Sequence, residues 1–77
     1  MKDQASQIII TFYTTAEAMA TKLACGKRGI PGALISAPRY LSPDCGIAWS
    51  SPAHAREELE RAIREEKIET AGFHERG

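Results

Sequence analysis

The sequence predicts an α+β fold, with four antiparallel strands in one sheet and two helices on one of its faces, in the order β-α-β-β-α-β. Three observations carry this expectation. Apolar residues switch along the chain between a period of two and a period near 3.6, the signatures of strand and helix. Helix starts and stops punctuate those switches, at Thr14-Thr15, Gly29-Ile30-Pro31 and Ser51-Pro52. The chain has 77 residues, room for a single domain.

Residues 1–6 are polar and are expected to be flexible, so the domain is expected over 7–75. Gln7 to Tyr13 reads as a strand, with Ile8, Ile10 and Phe12 on one face. Ile9 is apolar as well, which suits a central strand covered on both sides. Thr14 or Thr15 then caps a helix, and Glu17, three residues after Thr14, completes a capping box. Ala16, Met19, Ala20 and Leu23 follow at helical spacing as an apolar stripe. Lys27 and Arg28 suit a helix C-terminus, Gly29 ends it and Pro31 prevents its resumption. Cys25 leaves the stripe and is expected to pack under Ile30 across the helix stop.

Gly32 to Ala37 is the second strand and Gly46 to Ser50 the third, with Ile47 and Trp49 on one face. Turn residues between them predict a wide antiparallel hairpin. Ser51 as cap and Pro52 at the first helical position open a second helix. Ala55, Leu59, Ala62 and Ile63 form its inner stripe, and its charged residues form a solvated face. Ile68 to His74 is the last strand. Right-handed crossovers then put both helices on one side of the sheet, the ferredoxin-like plan. The expected core is Ile8, Ile10, Phe12, Leu23, Ile47, Leu59 and Ile63. The other sheet face stays open, and Ile9 on it favours a homodimer or a partner.

Ten basic and ten acidic residues balance to a net charge of zero, which argues against nucleic acid as a partner. The longest apolar run, Ile8-Ile9-Ile10, is far short of the roughly 20 residues that cross a bilayer. Met1-Lys2-Asp3-Gln4 lacks the apolar segment of a secretory signal, so the expected location is cytoplasmic, and two cysteines there are expected to be free thiols.

The tract Pro38-Arg39-Tyr40-Leu41-Ser42-Pro43-Asp44-Cys45-Gly46 holds the main candidate site. Structural cysteines usually sit in apolar runs, whereas Cys45 follows turn residues. It reads either as an accessible nucleophilic or carrier thiol, or as a small side chain tucked under a loop. Gly46 allows close approach of a partner, Arg39 favours a thiolate, Asp44 opposes one and Ser42 can donate to sulfur. Cys25 reads as structural, and a Cys25–Cys45 disulfide requires the loop to lie near the end of the first helix. Cys25, Cys45, His54 and His74 have no metal-ligand spacing, and no metal or cofactor is expected. Gly26 and Gly29 end a helix rather than open one, so they make no phosphate loop. No nucleophile–base arrangement points to an enzyme.

Ile10-Thr11-Phe12, Gly29-Ile30-Pro31, Ala37-Pro38-Arg39, Leu41-Ser42-Pro43-Asp44-Cys45-Gly46-Ile47-Ala48 and Ile68-Glu69-Thr70-Ala71-Gly72-Phe73 together resemble the small selenium/sulfur carrier-like family. The resemblance covers residues 8–74. It departs at Cys25-Gly26, where longer apolar and charged residues are usual, and at Trp49, where a smaller one is. It implies a compact thiol protein with Cys45 as the family cysteine and Pro38, Arg39, Ser42 and Gly46 as its motif. The expected role is to hold a persulfide or selenosulfide on Cys45, taken from a cysteine desulfurase or a selenium-delivery protein and passed to an acceptor protein. The competing expectation is a non-catalytic interaction module that binds a partner through its open sheet face.

Overall fold

The computed structural model describes residues 6–37 and 46–76. Pro38, Arg39, Ser42, Asp44 and Cys45 lie outside them. The elements run β1 (Gln7–Thr11), α1 (Thr15–Arg28), β2 (Ala33–Ser36), β3 (Ile47–Pro52), a short 3-10 turn (Ala53–Ala55), α2 (Arg56–Glu65) and β4 (Gly72–Arg76). The sheet order is β2-β3-β1-β4, with every neighbouring pair antiparallel. This is the ferredoxin-like arrangement. β1 and β3 occupy the centre, and β2 and β4 are the edges.

Ile8 and Ile10 share one face of β1 and pack with Trp49, with Ala18 and Cys25 of α1, and with Leu59, Ala62 and Ile63 of α2. Both helices therefore cover the same face. The large residues of this core come from the sheet, from Phe12 and Ile30 in the adjoining connections, and from α2, while α1 contributes Ala18, Thr21, Ala24 and Cys25. Small side chains let the axis of α1 approach a sheet carrying isoleucine and tryptophan without overfilling the space.

That packing overturns the stripe expected for α1. Leu23 is 67% exposed and Met19 43% exposed, so Leu23 does not belong to the core. The opposite, small-residue face of α1 is buried because the volume beneath it is already filled from the strands. Thr21 is tolerated there because its hydroxyl donates to the carbonyl of Glu17 at 3.0 Å.

The ends of α1 follow local chemistry. The Thr14 hydroxyl accepts from the amide of Glu17, whose carboxylate accepts in turn from the amides of Tyr13 and Thr14. At the other end Gly29 is left-handed, with φ of 71°. The Ile30 amide donates to the Cys25 carbonyl at 2.9 Å and Gly29 to Gly26 at 3.4 Å, a Schellman ending. Ile30 and Cys25 are both buried across that stop, as the sequence indicates.

The second helix begins later than its apparent cap. β3 continues through Ser51 and Pro52, and the α-helix starts only at Arg56. Ser51 is fully buried, and its hydroxyl is already engaged. The indole N–H of Trp49 donates to Ser51 Oγ at 2.6 Å, and Ser51 Oγ donates to the Pro31 carbonyl at 2.7 Å. A buried indole needs an acceptor, and this demand outweighs the capping preference of serine. The last strand is likewise displaced, from the expected 68–74 to Gly72–Arg76. Ile68 instead closes α2, its amide donating to the carbonyl of Ile63 at 3.0 Å while Lys67 takes φ of 57°. A fork from Arg28 to Glu65 at 2.8 Å and Glu66 at 3.1 Å ties the ends of the two helices together.

Candidate functional site

The described residues fix the stem of the loop that carries Cys45. β2 and β3 pair with Ser36 opposite Ile47. One step further, the Ala37 amide donates to the Gly46 carbonyl at 3.1 Å. Gly46 is exposed with φ of 75°, a left-handed conformation that glycine adopts without steric cost. Gly46, which follows Cys45 in the sequence, is thus the first described residue on the β3 side of the stem. Leu34, Ile35, Ser36 and Ile47 line a shallow depression of about 260 Å³ at this stem.

Cross-strand register places the stem relative to the rest of the fold. Thr11 lies opposite both Ala48 and Gly72, so the C-terminus of β1 is at the stem end of the sheet. Thr14 follows three residues later, and α1 therefore begins at that end. Its terminal carboxylate acceptor is already supplied by Glu17. Ala33 pairs with Ser50 at the other end, just after the stop of α1 at Gly29. Cys25, in the last turn of α1, is thus on the side of the domain away from Gly46. It is only 1% exposed. Burial pushes its thiol pKa up, against a smaller lowering by the Arg28 guanidinium. Cys25 is therefore a free, buried thiol that the fold favours in its protonated form, and its relation to Cys45 lies outside the described residues.

The sheet face away from the helices also differs from expectation. Ile9 stands there between Ser50 and His74, but it is 1% exposed, and Ala48 on the same face is fully buried. An isoleucine with no accessible surface offers no patch for self-association, so Ile9 is a packing residue. A cleft of about 370 Å³ lined by Gln7, Ala33, Ile35, Ser50 and Pro52 lies on that face. Trp49 belongs to the core. His54 is exposed and His74 half-buried, and among the described residues no three metal-ligating side chains gather. None of the helices among the described residues is long and apolar enough to cross a membrane.

One feature escaped sequence reasoning. Between α1 and the outer side of β2 runs a groove of about 430 Å³, lined by Lys22, Gly26, Ile30, Ala33, Leu34 and Trp49. Its only sequence signal is a glycine inside a helix, which reads more naturally as part of the helix stop.

Residues 7–75 match the model of a family described as Putative Se/S carrier protein-like. No curated protein and no solved structure matches the chain.

Proposed function

Because the chain belongs to the Se/S carrier protein-like family, we propose that it carries sulfur or selenium on the Cys45 thiol and passes it between partner proteins. The observation that carries this reading is the family match across nearly the whole chain, which includes the Cys45-Gly46 loop. The state of the other thiol supports it. Cys25 is buried and held protonated, which leaves Cys45 as the cysteine for chemistry.

The transfer is a thiol exchange without net redox change. The Cys45 thiolate attacks the terminal sulfur of a persulfide on a cysteine desulfurase. The donor's sulfur–sulfur bond breaks, the donor cysteine leaves as thiolate, and a persulfide forms on Cys45. With a selenium-delivery protein the product is a selenosulfide. An acceptor protein then takes the outer atom by the same displacement. The protein itself turns nothing over, and the proposed setting is the cytoplasm, where thiols stay reduced. Arg39 would favour the thiolate, and Ser42 would donate to it.

Intact-mass measurement after incubation with a cysteine desulfurase and cysteine tests the reading. Wild type and Cys25→Ala should each gain one sulfur atom, which a thiol reductant removes. Cys45→Ser should gain none. Loading that persists in Cys45→Ser, or absence of loading in wild type, overturns the carrier role.

A further inference from the structure

The hydrogen-bond register of the hairpin shows which backbone groups of β2 face outward. Residues opposite one another in an antiparallel pair alternate between bonded and non-bonded. Ala37 is bonded to Gly46, so Ile35 with Ala48 and Ala33 with Ser50 are the bonded pairs. Leu34 and Ser36 therefore turn their N–H and C=O groups away from β3. β2 is the last strand of the sheet on that side, and among the described residues nothing pairs with those groups.

The two sheet edges are not equally protected. Charged side chains are a common guard against strand addition. β4 carries Glu75 and Arg76, whereas β2 reads Ala33-Leu34-Ile35-Ser36 without a charge. Beside this unguarded edge lies the groove under α1. Ile30, Leu34 and Trp49 make it apolar, and Gly26 keeps it open, since a Cβ added there meets no atom of the described residues within 4 Å. By 100° per residue, Met19, Leu23 and Gly26 fall within about 60° of one another on α1. Met19 and Leu23 are exposed on that sector of α1, outside the groove lining. Lys22 is the cation in its lining and has no ion pair with any described residue.

We propose that this groove docks an extended peptide segment of a partner protein, which adds to the free edge of β2 and sets a carboxylate on Lys22 beside an apolar side chain under α1. Four backbone groups at Leu34 and Ser36 supply the pairing, and the groove supplies the side-chain selection. The charge of Lys22 selects an acidic residue or a chain terminus over a basic one. The inference is independent of Cys45.

The test is fluorescence anisotropy with a labelled hexapeptide that alternates valine and threonine and ends in glutamate. Saturable binding is expected, with Leu34 and Ser36 amide resonances shifting on titration. Lys22→Glu should weaken it by about tenfold or more, and a lysine-ended peptide should recover the loss on that variant. Amidating the terminus and replacing glutamate by glutamine, separately, identify which carboxylate Lys22 reads. Methylating the peptide amides that face β2 should abolish binding without touching the protein. Gly26→Leu should fill the groove and block the peptide while leaving the melting temperature intact. No saturable binding up to about 1 mM overturns the proposal. So does equal binding by Lys22→Glu and the methylated peptide, or a response confined to β4. A dimer in sedimentation whose Leu34 and Ser36 amides are protected before peptide is added assigns the edge to a second copy instead, and also overturns it.

Discussion

The Ala37 amide and the Gly46 carbonyl, 3.1 Å apart, clamp the base of the loop that contains Cys45. The clamp depends on Gly46 holding φ of 75°, a region that an L side chain enters at a cost of about 1–2 kcal/mol. No described residue crowds the position, so among the described residues Gly46→Ala tests conformation rather than space. It should lower stability by about 1 kcal/mol and speed hydrogen exchange at the Ala37 amide. Unchanged exchange at Ala37 would show that the clamp does not need the left-handed residue.

Gly32 has a different reason to be glycine. A Cβ there would lie 2.6 Å from the Ser50 carbonyl oxygen, from Ser51 Oγ and from Trp49 Cζ2. The backbone oxygen cannot step aside cheaply, and Ser51 is fixed between Trp49 and Pro31. Gly32→Ala should therefore cost about 1–3 kcal/mol, as overpacking does. Trp49 is the sole tryptophan, so its emission should shift as the indole loses its acceptor. A variant with wild-type emission and stability would contradict the close approach.

What could be read from the sequence divides along the range of the interactions involved. The capping box at Thr14, the stop at Gly29 and the Cys25–Ile30 closure are settled within a few residues, and local chemistry shows them. The strand order follows from alternating periods and handedness. The buried face of α1 was not legible, because two apolar stripes compete and the strands decide between them. The start of α2 was missed because Ser51 serves Trp49 and Pro31, partners that only the folded sheet brings together. Of the candidate site, the structure places Gly46 and the stem, and the remaining loop positions lie outside the described residues.

The exchange of faces on α1 yields a paired measurement. Leu59 is fully buried in the core, whereas Leu23 is 67% exposed. Leu59→Ala should cost about 2–5 kcal/mol. Leu23→Ala should stay within about 0.5 kcal/mol. Ala18, fully buried against the sheet, should resist enlargement, and Ala18→Leu should cost about 1–3 kcal/mol. Urea denaturation of the three variants ranks them, and a Leu23→Ala loss comparable to that of Leu59→Ala would restore the original stripe.

The buried thiol of Cys25 makes stability depend on alkaline pH. Desolvation raises its folded pKa, and the Arg28 charge lowers it by a smaller amount. The protonated thiol is thus favoured by the fold more than by the unfolded chain, where a cysteine titrates near 8.5. A raised folded value gives stability that is fully present below the unfolded value and is lost as pH rises through the folded one. Unfolding free energy should therefore decline above about pH 8.5. Cys25→Ala removes the titration, so its curve should be flatter over that window even if it starts lower from the loss of sulfur packing. The native protein should also resist alkylation at Cys25 near neutral pH, and denaturant should release it. A wild type and a Cys25→Ala variant with parallel alkaline slopes would show that the thiol is not held protonated by burial.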